Sequence, residues 1–288
     1  MILVTGANGQ LGKELQFLAT NNSTFDFLFV DSKTLDITDK TAIDQLFQQY
    51  HFNYCINCAA FTAVDDAEIM EEKAHLVNVV GVNHLAKACK NHGTQLIHIS
   101  TDYVYHSENI NRPYRENDAT NPQGVYAATK LEGDELIMLM LDNAVILRTS
   151  WVYSSFGNNF VKTMLRLGRK LEQLRVIYDQ IGTPTYARDL AAAILHIIKQ
   201  IEQKKVSNFG GIYHYSNEGV TSWYDFALSI FEIKNIDIEV HPIETKDYPT
   251  PATRPHFSVM NKEKIRTAFD LQIPHWRKSL IDCLTLID

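Results

Sequence analysis

The sequence predicts an α/β fold, a doubly wound parallel sheet followed by a smaller C-terminal α+β lobe. Three observations lead there. Short apolar runs alternate with amphipathic helical patterns through the first 150 residues. The first run, residues 2–5, passes directly into a turn punctuated by Gly6, Gly9 and Gly12. After Trp151 the rhythm breaks into shorter pieces interrupted by Pro242, Pro249, Pro251, Pro255 and Pro274. Mostly apolar strands separated by helices are the pattern of a parallel sheet covered on both faces.

The elements follow in order. Residues 2–5 form the first strand, and 11–18 carry the amphipathic spacing of the helix after the turn. Residues 27–30 are a second strand ending at Asp31. Ile43, Leu46 and Phe47 give 40–50 helical spacing. A third strand covers 54–57. A long helical pattern runs over 71–92 (Ala74, Val77, Leu85, Ala88) and stops at Gly93, a C-cap glycine. Residues 96–100 and 144–148 are the fourth and fifth strands, with a helix around Tyr126 between them. Beyond, 159–168 and 186–201 read as helices and 174–178 as a strand.

Composition narrows the function. The 288 residues are 45% hydrophobic and 21% charged, with a net charge of −7, which argues against a nucleic-acid or anionic-membrane surface. The N-terminus lacks the basic and long apolar regions of a signal peptide, and no run of 18 apolar residues occurs, so a cytoplasmic protein is expected. Of the four cysteines, Cys55 and Cys58 fit a C-x-x-C spacing, but no second pair follows. We read them as a strand feeding a turn.

The glycine turn departs from G-x-G-x-x-G in its first interval, yet it meets the same demands: a tight turn, close backbone approach to a pyrophosphate, and close strand–helix packing. The helix that follows offers free N–H groups and its positive end to phosphates. Asp31, about 20 residues on, stands where an acid accepts hydrogen bonds from an adenosine ribose. It disfavours a 2′-phosphate, while Ser32 and Lys33 soften that bias, so NADPH or NADH stays open. Asp36 is either an adenine neighbour or a helix-capping or solvated carboxylate.

Tyr126 and Lys130 lie four apart on one helix face, about 5–6 Å between Cβ atoms. An ammonium there favours the phenolate, so a lowered Tyr126 pKa and a usable general acid are expected. With the glycine turn, the pair predicts a carbonyl reductase using NAD(P)H. The fourth strand ends in Ser100 and Thr101, whose hydroxyls face opposite ways at the edge where parallel sheets bind ligands. His98, within that strand, reads as a structural histidine.

These residues together resemble the extended short-chain dehydrogenase/reductase family, with Thr101, Tyr126 and Lys130 matching its Ser/Thr–Tyr–Lys set. More narrowly, the chain is similar to the branch that reduces a dTDP-linked 4-dehydro-6-deoxy sugar. Similar stretches are 5–12 (TGANGQLG), 57–65 (NCAAFTAVD), 100–104 (STDYV), 148–153 (RTSWVY), 157–165 (GNNFVKTML), 179–185 (DQIGTPT) and 249–255 (PTPATRP). The resemblance implies a Rossmann-like NAD(P)-binding domain over 1–150, with some later segments returning to it, and a substrate-binding lobe over 151–288. It implies cofactor contacts from Gly6, Gly9, Gln10, Leu11 and Gly12 at the pyrophosphate and from Asp31, Asp36 and Ile37 at the adenosine. Ala60, Phe61, Thr62, Tyr126 and Lys130 would touch the remainder. Thr101, Asp102, Trp151 and Arg254 would hold the dTDP-sugar, with Thr101, Tyr126 and Lys130 catalytic.

The implied reaction is reduction of the C4 ketone of dTDP-4-dehydro-β-L-rhamnose, by a monomer or homodimer. Residues 255–258 (PHFS) depart from the branch's Pro-x-Asn-Ser. Some relatives bind a metal through surface carboxylates; Glu14 matches one, Arg188 replaces another, and no metal is expected. The same constellation serves epimerases and reductases of other sugars, and the regulatory β subunit of methionine adenosyltransferase resembles the family without reducing anything. Intact Thr101, Tyr126 and Lys130 favour the reductase.

Overall fold

The computed structural model describes residues 1–22, 25–107 and 110–287. Among the described residues six parallel strands form one sheet. They are β1 (Ile2–Thr5), β2 (Phe27–Phe29), β3 (Tyr54–Asn57), β4 (Gln95–Thr101), β5 (Val145–Thr149) and β6 (Gly211–His214), ordered β2-β1-β3-β4-β5-β6. Alternation along each strand divides the core. Ile2, Val4, Ile56, Ile97, Val145 and Leu147 face α1 (Gln10–Asn22) and a later helix, Ala187–Glu202. Leu3, Cys55, Leu96 and Ile146 face α2 (Lys40–Gln49), α3 (Val82–His92) and α4 (Val125–Met140). Both sides of every central strand are therefore apolar, as the near-continuous hydrophobic runs predict.

Asp39 caps α2 by accepting from the Ala42 N–H, and Gly93 ends α3 at φ +67°. The helical pattern over 71–92 is divided. Glu71–His75 and α3 are α-helical, while Leu76–Gly81 between them winds as a π turn. Two contacts accompany the wider turn: Asn78 bonds the loop after β3, and a Cβ on Gly81 would lie 2.7 Å from Ile37.

The sequence reading lacked β6, four residues that pair with β5 along its whole length. Beyond β5 the chain adds α5 (Phe160–Gly168), α6 (Ala187–Glu202), α7 (Trp223–Ile233), α8 (Glu263–Phe269) and α9 (Trp276–Leu284), of which α5, α7 and α9 build a second core. Tyr153, Met164, Phe226, Phe231, Trp276 and Leu280 pack in it. α6 and α8 instead contribute Leu190, Ile194, Ile197, Ile265 and Phe269 to the sheet's core. Gln173–Ile177 pairs in parallel with Glu239–Ile243, whose Pro242 is tolerated on a two-stranded ribbon. Among the described residues no helix is long and apolar enough to cross a membrane.

Candidate active site

The strand order reverses at β1, which neighbours both β2 and β3, and the loops leaving β1 and β3 part there. Such a crevice is the usual ligand position of an open α/β sheet. Here it is a cleft of about 760 Å³, lined by Gly6, Gly9, Gln10, Asp31 and Asp36 at one end and Thr101, Asp102, Tyr126, Lys130 and Trp151 at the other.

Gly6 adopts φ +65°, and its carbonyl accepts the Gly9 N–H at 2.9 Å. A Cβ on Gly12 would lie 2.5 Å from the Gly6 carbonyl oxygen, so the loop can pack on α1 only with glycine there. Leu11 is buried in the core and also lines the cleft. Gln10 is tied to the second core, accepting from Asn159 Nδ2 at 2.8 Å.

At the far end Asp31 accepts from the N–H groups of Lys33 and Thr34, both at 3.0 Å, and from Asn8 Nδ2. Hydrogen bonds from Thr34 hold its carboxyl below the usual range. Asp36 accepts from the backbone and hydroxyl of Thr38 at 2.9 and 2.8 Å, and Ile37 is buried beside Gly81. Asp36 lines the cleft and closes a local turn; the cap of α2 is Asp39. Ala60, Phe61 and Thr62 leave β3 along the wall, and Asn78 pins them by accepting the Phe61 N–H at 2.8 Å and donating to the Phe61 carbonyl at 3.2 Å. Asn78 was missed by sequence reading; an asparagine within an apolar helical pattern was the available signal. The glycine turn leading into α1 and a cleft that runs from it to Tyr126 and Lys130 fit a dinucleotide.

The hydroxyls at the end of β4 do point apart. Ser100 donates to Asp134 Oδ2 at 2.8 Å, whereas Thr101 donates to Asp102 Oδ1 at 3.3 Å on the side of the Tyr126 phenol. Asp102 is buried, one of its oxygens has no hydrogen-bond partner, and burial pushes its carboxyl up to about 7 against bonds from Ser258 and Thr101. Tyr126 packs edge-on against Tyr103 at 5.7 Å.

The expected lowering of the Tyr126 pKa is not found. Burial, with Asp102 and Asp134 nearby, pushes the phenol up to about 12, opposed by Thr101. The Lys130 amine is turned away, at 2.7 Å from the Ile99 carbonyl and 3.2 Å from His98 Nε2, and burial brings it down to about 8. Helical spacing sets Cβ separation only; the buried Lys130 amine finds other partners.

Trp151 stands at the junction of the two cores with φ +46°, stacked on Trp223 at 3.6 Å between ring centres. Arg254 is not among the residues lining the cleft. Its guanidinium makes a two-pronged bridge to Asp65, at 2.7 and 3.1 Å. Glu14 is fully buried and bridged to Arg188 Nε at 2.7 Å, with Ser154 at 2.6 Å. Cys55 and Cys89 are buried free thiols, and Cys58, also free, lines the cleft.

The whole chain, residues 1–288, matches the family described as RmlD substrate binding domain. A dTDP-4-dehydrorhamnose reductase of Aggregatibacter actinomycetemcomitans is 41% identical over 286 residues, covering 97% of this chain and 96% of its own. The crystal structure of a dTDP-4-dehydrorhamnose reductase ortholog from Clostridium acetobutylicum is 40% identical with a TM-score of 0.91, covering 99% and 98% of the two chains. That of the Bacillus anthracis dTDP-4-dehydrorhamnose reductase, in complex with NADP, is 37% identical with a TM-score of 0.92, at the same coverage.

Proposed function

This chain belongs to the dTDP-4-dehydrorhamnose reductase family, and on that premise we propose that it reduces the C4 ketone of dTDP-4-dehydro-β-L-rhamnose to dTDP-β-L-rhamnose with NAD(P)H. The product would serve cell-surface polysaccharide synthesis, and the enzyme would work in the cytoplasm. One observation carries the reading: the glycine turn and the Thr101–Tyr126–Lys130 set line one continuous cleft.

In this reading the backbone of Gly9 to Gly12 holds the cofactor's pyrophosphate and Asp31 its adenosine ribose. Bound NAD(P)H supplies hydride to the carbonyl carbon. The Tyr126 hydroxyl gives its proton to the oxygen of that carbonyl, and a phenol held near 12 is a proton donor rather than a phenolate at neutral pH. Thr101 donates a hydrogen bond to the same oxygen as negative charge develops there. Lys130 binds the nicotinamide ribose, and its positive charge, once gained, eases loss of the Tyr126 proton. Trp151 offers an apolar face to the deoxysugar.

The test is NADH and NADPH oxidation with enzymatically prepared dTDP-4-dehydro-β-L-rhamnose, comparing the native chain with Tyr126→Phe. The variant should lose about 10²–10⁴-fold in kcat. Isomerised sugar with unchanged absorbance would mark an epimerase instead, and near-full activity of the variant would remove Tyr126 as the acid.

A further inference from the structure

The atoms behind Lys130 determine where one buried proton sits. The Ala59 N–H can only donate, and it meets Asn57 Oδ1 at 3.2 Å; the Thr5 hydroxyl donates to the same oxygen at 2.6 Å. The amide nitrogen of Asn57 is therefore the atom that faces His98 Nδ1, at 3.0 Å. That nitrogen carries donors alone, so Nδ1 must accept, and a neutral imidazole then bears its proton on Nε2. Nε2 is 3.2 Å from the Lys130 amine.

An ammonium has three donors and no lone pair. Charged in this position, Lys130 would set N–H against N–H. A neutral amine accepts from His98 and still donates to the Ile99 carbonyl at 2.7 Å. The neighbouring carboxylate does not relieve the conflict. Asp134 Oδ2 is taken by Ser100 at 2.8 Å and Arg148 Nε at 3.2 Å, and Oδ1, without a hydrogen bond, lies 3.9 Å from His98 Nε2. Asn57, His98, Lys130 and Asp134 are all buried.

We propose that His98 is a positioning residue that holds Lys130 as a neutral amine in the cofactor-free cleft and releases it when it takes up a proton. Protonation turns the His98 contact from attractive to repulsive, so the charged amine leaves it for the cleft that Lys130 also lines. Burial acts in the same direction, lowering both Lys130 and, with the nearby amine, His98. The titratable groups around this pair are Asp134 and Tyr126 on α4, Cys58 after β3, Asp102 after β4 and Arg148 on β5. The proposal rests on Lys130 being the cofactor-facing lysine, but its first test needs no turnover.

That test is imidazole ¹⁵N NMR of histidine-labelled, cofactor-free protein at about pH 9, above the Lys130 value near 8, with His98→Gln identifying the resonances. The expected state is neutral, with the proton on Nε2; a proton on Nδ1, or an imidazolium, overturns the proposal. Asn57→Asp supplies the second test. Its carboxylate accepts from Nδ1–H, reverses the tautomer and presents a lone pair to Lys130. The basic limb of kcat/KM should then move up by about one pH unit or more, the size of one hydrogen bond's preference between two protonation states. A folded Asn57→Asp protein with lower kcat and an unmoved limb would make His98 merely structural. Should that variant fail to fold, the tautomer of the native protein decides alone.

Discussion

Replacing Asp102 by asparagine should stabilise the folded protein above neutral pH while damaging its chemistry. Asp102 is buried with an unbonded oxygen, and its carboxyl rises from an ordinary 3.8 to about 7. Between those values the folded chain keeps a proton that the unfolded chain has lost. Stability therefore falls as pH rises from about 4 to about 7, and above 7 the whole penalty is present. At about 1.4 kcal/mol per unit, the displacement corresponds to roughly 4 kcal/mol. Asparagine has nearly the same shape and cannot ionise, so Asp102→Asn should gain about 2–4 kcal/mol at pH 8 and close to nothing at pH 4. Guanidinium unfolding of both proteins at the two pH values isolates this group, because every other titration cancels in the difference. The accompanying rise in Tm should be roughly 5–15 °C at pH 8. An equal effect at both pH values, or destabilisation at pH 8, would refute the assignment of Asp102 as the ionisation-penalised group. Reductase activity should fall in the same variant if the carboxyl contacts the sugar.

Arg188→Ala strands the buried Glu14 carboxylate and should cost about 3–5 kcal/mol in urea unfolding. Adding Glu14→Gln should recover much of that loss, and no recovery would show that the ion pair is not its source. Asp31→Ala should raise the ratio of kcat/KM for NADPH over NADH about tenfold or more, since it removes an acid from the 2′-phosphate position; an unchanged ratio would take Asp31 away from the adenosine end. Gly12→Ala forces a Cβ to 2.5 Å from the Gly6 carbonyl. Its affinity for NADP⁺, read by fluorescence titration, should weaken about tenfold or more while the fold persists.

Much of the architecture was legible because it is written in local patterns. Apolar runs of four or five residues marked β1 to β5, and Gly93 marked the end of α3, each from signals within a few positions. β6 escaped because four residues, Gly-Ile-Tyr-His, carry no alternation long enough to distinguish from a loop; its identity as a strand comes from β5 beside it. The site divides the same way. Thr101, Asp102, Tyr126 and Lys130 do share a cleft with the glycine turn. The direction of the Tyr126 pKa was read wrongly, because spacing along a helix carries no information about burial. Asn78, and the chain from Asn57 through His98 to Lys130, were invisible as a network. Each is an unremarkable polar residue until strands and helices 17 to 41 positions apart are brought together. Arg254 and Asp65 are 189 residues apart, and nothing local to either announces the bridge between them.

The late return of the chain to its first sheet bears on how the protein comes into being on the ribosome. When residue 150 has emerged, five strands exist, and α2, α3 and α4 can cover one side. The other side, bearing Ile2, Val4, Ile56, Ile97, Val145 and Leu147, has α1 but still lacks Leu190, Ile194, Ile197, Ile265 and Phe269. Leu190, Ile194 and Ile197 follow about 40 residues later and Ile265 and Phe269 more than 100 residues later, so in between the nascent sheet carries an incompletely covered apolar face. A fragment ending at residue 150 should aggregate or recruit a chaperone rather than survive as a free nucleotide-binding unit.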